Sequence, residues 1–135
     1  MNTEKEFVPY EPSLELKELG FDEPCLCFYN YNSQLLRYMN PDKDWNSLQS
    51  QTLKNSKITL PDTYSAPTFS QAFRWFREKY GFESYTKKDW TDGILYGYES
   101  IIGYEDGFID VGTFNSYEES ELECLRKLIE LAKNK

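Results

Sequence analysis

The sequence predicts an α+β fold: one antiparallel sheet built from two hairpins and packed with three helices, in the order α-β-β-α-β-β-α. Three observations lead there. Apolar residues recur at helical spacing in three separated segments, and two of these open with a capping box. Between the helices the pattern switches to strand-like alternation around two turn signals, Asn-Tyr-Asn-Ser and Glu-Asp-Gly. The length, 135 residues, is that of one ordinary domain, so residues 1–135 are read as a single domain. Such a chain can bury a core without a metal or disulfide staple.

The first helix is placed in FVPYEPSLELKELGF. Pro9 or Pro12 fits a first turn, where a missing N–H does no harm. Leu16 and Leu19 can share a face, Gly20 suits the left-handed position after the helix, and Phe21 supplies the apolar contact beyond it. A hairpin follows in PCLCFYNYNSQLLRYM. Cys25, Cys27 and Tyr29 alternate with Leu26 and Phe28, and apolar groups on both faces suggest a central strand. Residues 40–66 show no strong period, which predicts a functional loop, a partner surface or an irregular cover on the sheet.

The second helix starts at the capping-box spacing of Thr68 and Gln71. Phe69, Ala72, Phe73, Phe76 and Tyr80 form one helical stripe, while Arg74, Arg77, Glu78 and Lys79 fall elsewhere on the wheel. Stacking of nucleic-acid bases would need exposed rings beside the basic groups, so the stripe is read as core. Trp75 lies at its edge and is expected to be partly exposed. The second hairpin is GILYGYESIIGYEDGFIDVGTF. The third helix opens with Ser116 and Glu119 and carries Leu122, Leu125, Ile129 and Ala132 on its apolar face, with Leu128 and Leu131 beside it. A weak internal echo links LKELGFDE (16–23) with FREKYGFES (76–84); helix-Gly-Phe is also a common way for a helix to end.

Composition narrows the chemistry. The formal net charge is −8, which repels nucleic acid and anionic lipid and favours a basic partner or simple solubility. The chain has no histidine, which removes the usual general base near neutral pH and most transition-metal sites. Three cysteines without paired spacing argue against a disulfide framework and fit a reducing, cytoplasmic home. The start, MNTEKEF, lacks the basic and apolar regions of a signal peptide, and no apolar run approaches transmembrane length. DKDWNS (42–47) begins like a calcium loop but has Ser47 where glycine is required and Leu53 where the closing glutamate belongs. Glu99, Glu105, Asp106 and Asp110 cluster about the second hairpin, where turn chemistry explains them better than paired catalysis. No catalytic residue, cofactor site or metal site is assigned. Trp45, among polar residues, and Trp75 are the candidate partner-binding residues, since Trp is the type most enriched at binding hot spots. Trp45 either anchors a partner or folds back over the sheet.

The stretches FVPYE, LELKELGFDEPC, QAFRWFREKYG and SYEESELECLRKLIE together resemble a family of small uncharacterised proteins from bacteriophages and prophages of gut Bacteroidetes. The match covers the first 30 residues, the middle helix and the last 20; residues 31–64 and 84–113 match weakly. The resemblance implies a phage-encoded accessory protein in the bacterial host cytoplasm, with host manipulation or inhibition of a bacterial defence as its role. It carries over no catalytic residue. The expected function is therefore protein–protein binding without enzymatic activity, cofactor, nucleic acid or membrane. A virion structural or assembly factor is the alternative, and a carboxylate-based enzyme the third reading.

Overall fold

The computed structural model describes residues 3–30, 32–37, 46, 63–105 and 107–135. The fold class is α+β: among the described residues there are three α-helices and two three-stranded antiparallel sheets. The chain divides into two compact units, Glu6–Thr68 and a second built on Phe69–Lys135.

In the first unit, helix α1 (Tyr10–Glu18) follows Pro9, whose extended backbone makes it the N-cap. The helix ends as its sequence dictates. Gly20 takes φ 93°, its N–H donates to the Lys17 carbonyl, and the Phe21 N–H donates to that of Leu16. This pair of bonds satisfies carbonyls that the helix end would otherwise leave bare. Strand β1 (Cys27–Tyr29) is central, between β2 (Leu35–Arg37) and β3 (Tyr64–Ala66). The turn is held by Asn30, whose Oδ1 accepts from the backbone N–H groups of Asn32 and Gln34. Cys27, Tyr29 and Ala66 form a small core, with Phe7, Tyr10, Leu35 and Tyr64 packed against it. The Val8 carbonyl accepts from the Tyr29 hydroxyl at 2.8 Å and from the Ser13 hydroxyl at 3.2 Å, so both buried hydroxyls are satisfied.

In the second unit, helix α2 (Phe69–Tyr80) begins directly after Thr68, and Gly81 ends it at φ 73°. A meander follows: β4 (Glu83–Thr91), β5 (Ile94–Tyr104) and β6 (Gly107–Phe114), with β5 in the middle. Asp92 and Gly93 join β4 to β5 with φ 52° and 78°. Two positive φ values in succession are the mark of a type I′ turn, whose twist matches that of paired strands. Helix α3 (Tyr117–Lys133) starts at Ser116, whose hydroxyl accepts from the Glu119 N–H at 3.1 Å. That capping bond is the one its sequence spacing implies. The core of this unit is Phe76, Phe82, Ile102, Leu125, Leu128 and Ile129, all buried. Each contributes ~1.5–3 kcal/mol on burial.

The helices and both expected hairpins are present, and β1 is central as its two apolar faces suggest. There are two sheets where one was expected, because each hairpin gains a further strand. Strand β3 is only three residues long and abuts Pro67, too short to show a period. Strand β4 (ESYTKKDWT) has no apolar alternation, since most of its side chains are exposed. It exists because its backbone pairs along its whole length with β5, a non-local cause that periodicity cannot report. Trp75 requires a correction: it is buried, 5% exposed, with its ring 5.0 Å from that of Phe76 and 5.7 Å from that of Tyr80. A ring of this size covers neighbours on both sides of its helical position, so the buried face is wider than the stripe drawn through the phenylalanines. Phe73 is only half-buried.

Candidate functional site

The two tryptophans singled out by sequence do not form a site. Trp75 is part of the core. Trp45 lies outside the described residues, as does most of 40–64. Its neighbour Asn46 is described and acts as a clip: Nδ2 donates to the Phe21 carbonyl at 2.9 Å, and Oδ1 accepts from the Ser65 N–H at 2.7 Å. One side chain thus ties the exit of α1 to β3. The acidic group around the second hairpin is also dispersed. Glu99 pairs with Lys87 across β4 and β5 at 3.4 Å, Asp110 accepts from the Gly112 N–H at 3.1 Å, and Glu105 forms the turn at φ 46°. Asp106 lies outside the described residues.

Two other features stand out in the second unit. The first is the tip of the β4–β5 hairpin. Trp90 is 56% exposed, Ile94 57%, Leu95 41% and Tyr96 59%. Trp90 lies opposite Leu95 on one face of the ribbon, and Ile94, opposite Thr91, lies on the other. The register shifts at Asp89/Trp90, and this bulge leaves Tyr96 without a direct partner on β4. The turn geometry at the tip is specified by Asp92 and Gly93, yet four large apolar or aromatic side chains remain in water there. Burying them would release roughly 25 cal/mol per Å² of apolar surface, the ordinary driving force for association. The signal was legible in Trp-Thr-Asp-Gly-Ile: Asp-Gly flanked by apolar residues is a hairpin mark as strong as the Glu-Asp-Gly read further on.

The second feature is a cavity of about 260 Å³ bounded by α2, β4 and α3. Phe73, Tyr85 and Tyr117 contribute rings to its lining, and Ser70, Ser84 and Thr86 contribute hydroxyls. Glu121 and Cys124 complete it from α3. Burial, with a smaller push from Glu118, raises the Glu121 carboxyl from its ordinary range to about 7. Burial likewise raises the Cys124 thiol to about 11; the neighbouring Ser84 and Ser100 hydroxyls partly offset it, and Glu121 adds to it. Tyr117 is also raised, by burial and then by Glu121. Behind the cavity, small hydroxyls let α3 approach the sheet. Ser100 and Ser120 hydrogen-bond through their hydroxyls, Ser100 Oγ also donates to the Ser120 carbonyl at 2.9 Å, and Thr86 Oγ1 lies 3.2 Å from Ser100 Oγ. Ser84 Oγ is buried without a hydrogen-bond partner; the thiol beside it is too weak a group to replace one.

Among the described residues no cluster of three or more Cys, Asp or Glu is placed to hold a metal ion, and no helix is long and apolar enough to cross a membrane. No protein-family model, no curated protein and no solved structure matches the chain.

Proposed function

We propose that the chain is a protein-binding module and that the β4–β5 tip is its docking element. The observation that carries this reading is the exposure of Trp90, Ile94, Leu95 and Tyr96 together at one hairpin tip. Exposed apolar groups scattered singly need no explanation, but Trp90 beside its cross-strand partner Leu95, with Ile94 and Tyr96 next to Leu95 along the strand, fits the centre of an interface. Burial holds Cys124 as a neutral thiol, far from the thiolate that a cysteine nucleophile requires. The resemblance to phage and prophage proteins supplies the setting of the proposal, an accessory protein working in the bacterial host cytoplasm on a host or defence protein.

The test is photo-crosslinking from Tyr96 in host cells, compared with a crosslinker at exposed Glu130 on α3. A discrete adduct from the tip alone, lost in Trp90→Ala without a change in melting temperature, is the expected result. Equal capture by the Trp90→Ala protein would overturn the assignment of the tip.

A further inference from the structure

We propose that the cavity between α2, β4 and α3 is a binding site for a small organic cation, an alkylammonium or guanidinium group. This proposal is independent of the role given to the hairpin tip. It begins from charge. Glu121 makes no ion pair or hydrogen bond among the described residues, although it lines the cavity wall. Glu118 adds negative potential nearby, and no Lys or Arg lines the space. The remaining walls suit the rest of such a ligand. Phe73, Tyr85 and Tyr117 offer aromatic surface, which attracts cations to ring faces and accommodates their alkyl stems. An ammonium group brings three N–H donors and no acceptor, so carboxylate and hydroxyls meet it without leaving an unmatched group.

Other ligand classes fit less well. An anion would face Glu121 directly. The N-terminal end of α3, which could otherwise attract one, is already capped by Ser116 and flanked by Glu118 and Glu119. A divalent metal would find one carboxylate lining the cavity, short of the oxygen set such ions require. A neutral ligand would leave the carboxylate unpaired.

The proposal has a pH signature. The titratable groups about Glu121 are Glu118, Tyr117 and Cys124 on α3 and Tyr85 on β4, while α2 presents only Ser70 and Phe73 to the cavity. With the Glu121 carboxyl at about 7, a cation binds the ionised form and expels a proton. Affinity should therefore rise about tenfold between about pH 6 and about pH 8.

The experiment is an NMR titration of the full chain with propylammonium and propylguanidinium, following the Tyr85 and Tyr117 ring signals. N-acetyl-lysine methylamide represents a cation carried on a polypeptide, and 1-butanol is the neutral control. Saturable binding at about millimolar concentration is expected, at least about tenfold weaker in Glu121→Gln and in wild type at the lower pH. Glu118→Gln, altering an exposed side chain, should weaken it by less than about threefold. Binding of the blocked lysine as tightly as the free amines would identify a side chain as the source of the cation; binding of the free amines alone would identify a small molecule. No saturation at about 10 mM, equal binding of 1-butanol, or an unchanged Glu121→Gln titration would each overturn the proposal.

Discussion

The two three-stranded sheets begin alike and end differently. Each follows a helix closed by Gly and Phe: Gly20-Phe21 after α1, Gly81-Phe82 after α2. Both glycines take positive φ and both phenylalanines are buried. Beyond that point the topologies part. In the first sheet the leading strand is central, its strands are three residues long, and side-chain bonds from Tyr29, Ser13 and Asn46 tie the unit together. In the second the strands run in sequence order and are eight to eleven residues long, so a long ladder carries the sheet, with side-chain contacts such as Lys87–Glu99 and Thr86–Ser100 added to it. The shared Gly-Phe is thus a rule for leaving a helix, not an instruction for the sheet beyond. The echo between LKELGFDE and FREKYGFES requires no common three-dimensional unit.

The largest expected effect sharpens that likeness. Phe21→Ala and Phe82→Ala should each destabilise by ~3–5 kcal/mol in denaturant melts, since each removes a fully enclosed ring. Near-wild-type stability in either would show that its helix exit is not anchored by the ring, and the likeness would be broken. The next effect separates the sheets. Gly97 in β5 has φ 151°, and a Cβ there would collide with the Phe114 carbonyl of β6. Gly97→Ala should cost about 2–4 kcal/mol, from strain and overpacking combined. Gly103 on the same strand, where a Cβ would stand 3.8 Å from the Glu83 carbonyl oxygen in an ordinary contact, is the control and should tolerate Ala. Equal stability of the two variants would mean that β5 and β6 do not pack as closely as described.

The smallest effect is in the pH dependence. The Glu121 carboxyl lies at about 7 when folded, against 4.5 for a free side chain. The folded protein therefore holds a proton that the unfolded chain has released between those values. Stability from this group is fully present below the lower value and falls as pH rises to the upper one. Glu121→Gln should remove that slope, melting a few degrees higher than wild type at about pH 8 and equally at about pH 4. Glu121 is half-buried and partly screened by solvent, which keeps the shift small. A wild-type difference of the opposite sign would show that the carboxyl is stabilised in its charged form.

What the sequence disclosed follows from what each feature depends on. The exit of α1, the cap at Ser116 and the Glu-Asp-Gly turn are local in origin, so residue identity and spacing sufficed; the central place of β1 shows in the apolar groups on both its faces, although a distant strand completes it. Strand β4 was missed because its pairing with β5, not its own pattern, makes it a strand. Trp75 was misplaced because a helical wheel treats a ring as a point. The buried Ser100–Ser120 contact escaped because hydropathy assigns a hydroxyl to water unless its partner is known. The cavity depends on three elements meeting, and of its lining the sequence pattern marks only Phe73, as part of the second helix's stripe. The tip alone was readable and overlooked, in Asp92-Gly93 beside Trp90.

The central place of β1 also bears on how the chain orders itself. In the meander every strand pairs with the next along the chain, so the type I′ turn can start a ladder that lengthens residue by residue. The edge strand β3 must instead return to β1 across everything that follows β2. Closing a chain segment costs only ~0.6 kcal/mol more for each doubling of its length, but that entropy is lost before any contact repays it. The N-terminal sheet, although first in the chain, carries a larger chain-closure penalty than the C-terminal meander.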